Sequence, residues 1–292
     1  MRNTPFRILL SVLALAIGGG WFLTAPGRDP VGQFDGVTGN IDNGETVFYA
    51  TGCAGCHGDK DDGTLLSGGT EFASDFGTFY APNISPSEQG LAGWTVGDLS
   101  NALRYGTSPD GSHYYPAFPY TAYQHLTDQD VADLFAYLQT LPPSATPSKP
   151  HDVGFPFSIR RGLGAWKLLF LDDSFALADA NSPEIARGRY LVEAMGHCGE
   201  CHTPRGVLGQ LDRSRWLQGA PNPSGRGRIP GIAQGQLDWE TADIIYYLET
   251  GLTPEYDSAG GKMAEVVENM AKLTADDRAA IAAYLKAIPA LP

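Results

Sequence analysis

Two short stretches hold residues able to do chemistry together: Cys53-Ala-Gly-Cys56-His57 and Cys198-Gly-Glu-Cys201-His202. Each sets two thiols three residues apart, with an imidazole directly after the second. Three chemistries draw on such a set. A closed zinc site takes four ligands, so each stretch would need distant partners to complete one. A redox dithiol of this spacing follows a strand and needs no histidine. Covalent haem capture uses every member: both thiols bond the vinyl groups and the histidine reaches the iron. The chain has four cysteines, all in these two stretches, so none is left for a structural disulfide.

The two stretches belong to a longer repeat. At the offset of 145 that aligns the cysteines, Ile84 meets Ile229, Trp94 meets Trp239, Asp98 meets Asp243, Leu103 meets Leu248 and Gly106 meets Gly251, without a gap. Nearer each end the offset is 147, where Ala136-Tyr137-Leu138 parallels Ala283-Tyr284-Leu285. Agreement at many spaced positions marks two copies of one domain. Two motifs in duplicated domains favour haem attachment, by Cys53, Cys56, Cys198 and Cys201, over zinc or a dithiol.

The elements that must position these residues read as helices. One leads into each motif, over 44–52 and 185–195. A middle helix follows each tryptophan and stops at Gly106 in the first copy. The last starts at Thr127 or Thr274, each with an aspartate three residues on, and ends before Pro142 or Pro289. The expected organisation is mainly α: an N-terminal segment over 1–30, helical domains over 40–143 and 182–292, and a connector over 144–181. Phe155-Pro-Phe157, Trp166 and Leu168-Leu-Phe-Leu171 make the connector too apolar for a free linker, so it is expected to pack across both domains.

Ile8 to Gly27 carries no charge, follows Arg2 and Arg7, and as a helix spans about 30 Å, roughly one hydrocarbon core. It reads as a transmembrane anchor, with a cleaved signal peptide as the alternative. Either sends the rest of the chain outward, because the positive end stays inside. Pro26 follows the best small-residue cleavage site, which favours retention. A formal net charge of −13 disfavours nucleic acid and electrostatic binding to anionic lipid.

Together with Ala81-Pro-Asn-Ile84, Gly93-Trp94, Tyr115-Pro-Ala-Phe-Pro-Tyr120 and Gly261-Lys-Met263, the two motifs make the exported part resemble the cytochrome c family. It is similar to haem domains of membrane-anchored cytochrome subunits of periplasmic dehydrogenases of the quinoprotein alcohol type. The resemblance implies two tandem cytochrome c-like domains with two covalently bound haem c, His57 and His202 as proximal ligands, and a methionine opposite each. Met263 fills that place in copy two, with Met270 the weaker candidate. In copy one the equivalent residue is Phe118, and no methionine lies between Met1 and Met195. His113, in the same loop, is the candidate distal ligand of the first haem; a tyrosine or an open iron are the alternatives. Trp94 and Trp239 are candidates for packing on the haem, and Arg104 and Tyr105 for approaching a propionate.

The resemblance implies electron transfer rather than catalysis. A periplasmic dehydrogenase would be the donor, a terminal oxidase or soluble cytochrome the acceptor, and the inner membrane the site. The alternative is a haem enzyme, peroxidase-like or oxidising sulfur compounds, that uses the non-methionine haem.

Overall fold

The structure is a computed structural model that describes residues 4–59, 63–222 and 227–289 of the 292. The apolar run is α1 (Thr4–Leu23). The first half holds α2 (Ile41–Thr51), the motif helix α3 (Cys53–His57), α4 (Val96–Tyr105), the short α5 (Tyr120–Tyr123) and α6 (Asp128–Leu138). A connector helix α7 (Gly162–Phe170) leads to α8 (Pro183–Arg189), α9 (Gly199–His202), α10 (Thr241–Thr250), α11 (Lys262–Met270) and α12 (Ala275–Ala287). Two small antiparallel pairs, Glu71–Ser74 with Gly77–Tyr80 and Ala220–Pro221 with Arg228–Ile229, were not expected from the sequence.

Local signals explain the helix ends. Thr95 and Asp98 form a reciprocal capping box on α4, which Gly106 closes in the left-handed conformation. Thr127 and Thr274 accept hydrogen bonds from the Asp130 and Asp277 backbones at the starts of α6 and α12. The apolar faces of α6 and α12 then bury Val131, Leu134 and Leu138 in one half, and Ile281, Tyr284 and Leu285 in the other.

Each half is built on one helix crossing, α2 on α6 and α8 on α12. The backbones touch through a glycine. A Cβ on Gly44 would stand 2.1 Å from the Asp133 carbonyl oxygen, and one on Gly188 would stand 1.9 Å from that of Ala280. Phe48 packs on Tyr137 beside the first crossing, with ring centroids 5.2 Å apart.

The copies differ by insertions both before and after the motifs. Gly44 and Gly188 occupy the same place but differ by 144, whereas the motifs differ by 145. The extra residue of copy two is absorbed as a π-helical turn, Tyr190–Met195, between α8 and the motif. Beyond the motifs, the Gly68 and Gly219 amides bond the carbonyls of His57 and His202, and those of Ile84 and Ile232 bond Leu66 and Leu217. The counterpart of Ile84 is therefore Ile232, not Ile229. Insertions of opposite sign cancel before the tryptophans, so the sequence offset looks constant.

The connector touches both halves and the end of α1. Lys167 donates to the Gly106 carbonyl at 2.8 Å and lies over the Tyr120 ring, and Gly164 packs on Thr24. Trp166 donates to Leu208 O in the second half at 2.9 Å. A Gly44→Ala or Gly188→Ala exchange is expected to lower stability by about 1–3 kcal/mol through overpacking. Gly154→Ala, where no atom lies within 4 Å, should be neutral. Chemical denaturation of the three variants checks this.

Candidate functional site

The two motif histidines are held alike. His57 Nδ1 lies 2.8 Å from the carbonyl oxygen of Pro82, and His202 Nδ1 lies 2.8 Å from that of Pro230. A carbonyl only accepts, so Nδ1 carries the proton in both rings and Nε2 keeps a free lone pair. Burial lowers both pKa values, keeping the imidazoles neutral. Each is thus an imidazole of fixed tautomer, oriented by a second bond and able to ligate a metal through Nε2. The prolines that do this lie outside the motifs, in the segments that begin with Pro82 and Pro230.

The thiols point away from redox or zinc chemistry. Burial pushes Cys53 up to about 11 and Cys198 up to about 12, and raises Cys56 and Cys201. They are neutral thiols, not the lowered-pKa thiolates of a dithiol site. Helices, not strands, lead into both motifs. Among the described residues no group of three or more His, Cys, Asp and Glu side chains is gathered as a metal site. Two thiols beside one oriented, neutral imidazole, twice over, fit two covalently attached haems.

The candidates for the far side of each iron differ in their surroundings. Met270 is buried in the core of the second half, whereas Met263 lies in the first turn of α11, only partly buried and outside that cluster. Phe118 stands among aromatic rings, 5.8 Å from Tyr123 and 6.0 Å from Tyr114. Tyr123 donates to the Thr51 carbonyl at 2.9 Å, and Thr51 Oγ1 sits 3.3 Å from Cys53 Sγ, so Phe118 is linked to the first motif.

His113 faces elsewhere. It is 2% exposed, with Nε2 3.0 Å from the Thr24 carbonyl at the end of α1. Nδ1 is buried with no partner among the described residues. His113 is the expected distal ligand of the first iron, and in this arrangement its Nε2 is engaged by the Thr24 carbonyl. Of the other histidines, His125 stacks on Phe175, His151 accepts from the Tyr80 amide and His197 bonds Thr51. Arg104 and Tyr105 are also committed elsewhere: Arg104 pairs with Asp128 at 2.6 Å and Tyr105 donates to Asp29. Trp94 and Trp239 are partly buried against the core.

The two motifs meet where the halves join. Thr121 Oγ1 donates to Glu200 Oε1 at 2.9 Å, and the Tyr190 hydroxyl donates to Asp130 Oδ2 at 2.5 Å. Burial is the main cause that raises the Cys56 thiol, and the nearby Cys201 thiol adds to it. Helix α11 reaches the first motif, with Glu265 beside Gly55 and Asn269 beside Gly52. His197 and Tyr123, whose rings are 5.5 Å apart, belong to this junction. Sequence reasoning missed both, although His197 aligns with Gly52 at the motif offset.

Helical domains with paired attachment sites define a c-type haem protein of two centres. Comparison with known proteins agrees. The cytochrome c family matches residues 41–142 and 185–289, and the chain belongs to that family. It is 54% identical to a diheme cytochrome c-type protein of Cereibacter sphaeroides over 97% of both chains. It is 40% identical to the fructose dehydrogenase cytochrome subunit of Gluconobacter japonicus over 86% of this chain and 53% of that one. It is 35% identical to the alcohol dehydrogenase (quinone) cytochrome c subunit of Gluconobacter oxydans over 86% of this chain and 55% of that one. The chain thus spans about half the length of those two subunits. It is a dihaem cytochrome c, homologous to electron-transfer subunits of dehydrogenases, and carries two covalently bound c-type haems. A Cys198→Ala/Cys201→Ala double variant is expected to retain one covalent haem per chain, as the wild type retains two, by intact mass.

Proposed function

We propose that the chain passes electrons from a periplasmic dehydrogenase to a terminal oxidase or soluble cytochrome while anchored in the inner membrane by α1. The observation that carries the reading is the pair of linked haem-binding halves in a chain similar to cytochrome subunits of fructose and alcohol dehydrogenases. The haem supplies the redox centre. The protein's own residues hold it by thioether bonds and present a neutral Nε2 of His57 or His202 to the iron. A formal charge of −13 suits docking to a basic face of a partner.

Retention of α1 has its own support. Phe6–Leu23 has a mean hydropathy of 1.9 and is exposed, as a lipid-facing helix would be. The residues after it are built into the first half. Arg28 donates to Ser108 O and Pro109 O, and Asp29 accepts from the Tyr105 hydroxyl and donates its amide N–H to Asn101 Oδ1. Arg161 lies 4.1 Å from the Trp21 ring and bonds Thr24 Oγ1. Cleavage after Ala25 would strip His113 and Arg161 of these partners. The purified protein is therefore expected to keep residues 1–25, by intact mass.

Met263 is the proposed distal ligand of the second haem. Met/His ligation raises a reduction potential, so the second haem should be the more oxidising centre and the first the point of entry. Redox titration of wild type and Met263→Ala tests this. The variant should lower the potential of one haem only, and a first haem titrating above the second would reverse the proposed direction.

A second reading rests on Phe118 and on the bond that holds His113. With no methionine in the first half and Nε2 of His113 on Thr24, the first iron is proposed to keep an open position. Carbon monoxide should then bind the reduced native protein at one haem. His113→Ala should leave the electron paramagnetic resonance of the ferric first haem unchanged. Loss of a low-spin signal in that variant would instead identify His113 as the ligand.

A further inference from the structure

The position just before each motif differs in chemistry between the copies but has a positive φ in both. Gly52 occupies it in the first copy with φ +64°, a left-handed conformation that glycine adopts without steric cost. In the second copy His197 occupies it with φ +40°, where a side chain is strained. The π-helical turn Tyr190–Met195, which holds the one residue that copy two has in excess, ends two residues earlier. Both departures converge on the ring of His197, which reaches out of its own half. Its Nε2 lies 3.3 Å from the Thr51 carbonyl and so donates to it, and its face meets Tyr123 at 5.5 Å. Thr51 in turn holds its Oγ1 3.3 Å from Cys53 Sγ.

We infer that His197 is the electronic bridge between the two haem sites. It is bonded through the backbone to Cys198, which carries the second haem. One hydrogen bond, His197 Nε2–H to Thr51 O, and the backbone from Thr51 through Gly52 to Cys53 complete the route to the sulfur that carries the first. Along it one electron leaves the first haem, which is oxidised, and one arrives at the second, which is reduced. No bond is made or broken and no proton moves. His197 is itself neither oxidised nor reduced, and is a positioning residue for the transfer. The inference rests on the electron-transfer reading above.

The test uses the full dihaem chain in detergent, with rapid photoreduction and time-resolved absorbance to follow equilibration between the haems. His197→Gly restores the residue that the first copy has and relieves the backbone. It should slow inter-haem transfer several-fold, leave both haem spectra unchanged and not lower the melting temperature. His197→Phe keeps the ring against Tyr123 but removes the N–H, and should also slow transfer. Thr121→Val removes a different bond between the halves, that to Glu200, and should leave the rate unchanged. An unchanged rate in His197→Gly overturns the bridge, as does an equal slowing in Thr121→Val, which would assign the effect to docking of the halves. A wild type in which electrons never equilibrate between the haems would instead sink the electron-transfer reading itself.

Discussion

The close crossing of the first and last helices in each half is the constraint on which the rest depends. At Gly44 over Asp133, and at Gly188 over Ala280, backbone meets backbone with no room for a side chain. The contact seats the helix that ends at each motif against the helix that closes each domain. Residues beyond the crossing, such as Phe48 and Leu134, or Val192 and Ile281, can then bury their side chains in one shared core. The thiols and imidazoles inherit their positions from it. Because packed interiors transmit strain, a displacement at the crossing would be felt at the motif.

Within that frame the two sites share a common proximal design and diverge elsewhere. A proline carbonyl sets the tautomer of each histidine, through a loop whose amide also bonds the carbonyl of a buried leucine. The distal sides part ways. The second half carries in the first turn of α11 a methionine outside the core cluster, while the first places a phenylalanine among tyrosines. His113 is drawn instead into the seam between the end of α1, the first half and the connector. That seam also engages Arg28, Asp29, Arg161 and Lys167, so it works as a joint between helix and domain.

The divergence fits a relay better than two independent carriers. The halves meet at their motifs, and the residues that join them are ones that duplication alone would not supply. Glu200 lies between the second pair of cysteines, where the first has Gly55. Tyr190 lies on the π turn, and His197 stands where the first copy has glycine. Each reaches into the other half, to Thr121, Asp130 and Thr51 respectively.

Much of this was legible in the sequence. Thiol and imidazole at fixed spacing define haem attachment, because bond formation needs only those groups in that local order. Helix ends were readable from Thr95, Gly106, Thr127 and Thr274, because capping is a local hydrogen bond. The apolar run of α1 was readable because its length and composition are properties of the sequence itself. The tertiary structure alone decided the true pairing of Ile84 with Ile232, since cancelling insertions leave no trace in a constant offset. It also placed the ring of His113 against the Thr24 carbonyl, 89 residues away in sequence, a contact that its loop position does not disclose. The role of His197 was hidden for the same reason. A histidine before a cysteine says nothing until the fold brings Thr51 of the other half against it, and contacts between distant segments are set by packing rather than by local residue order.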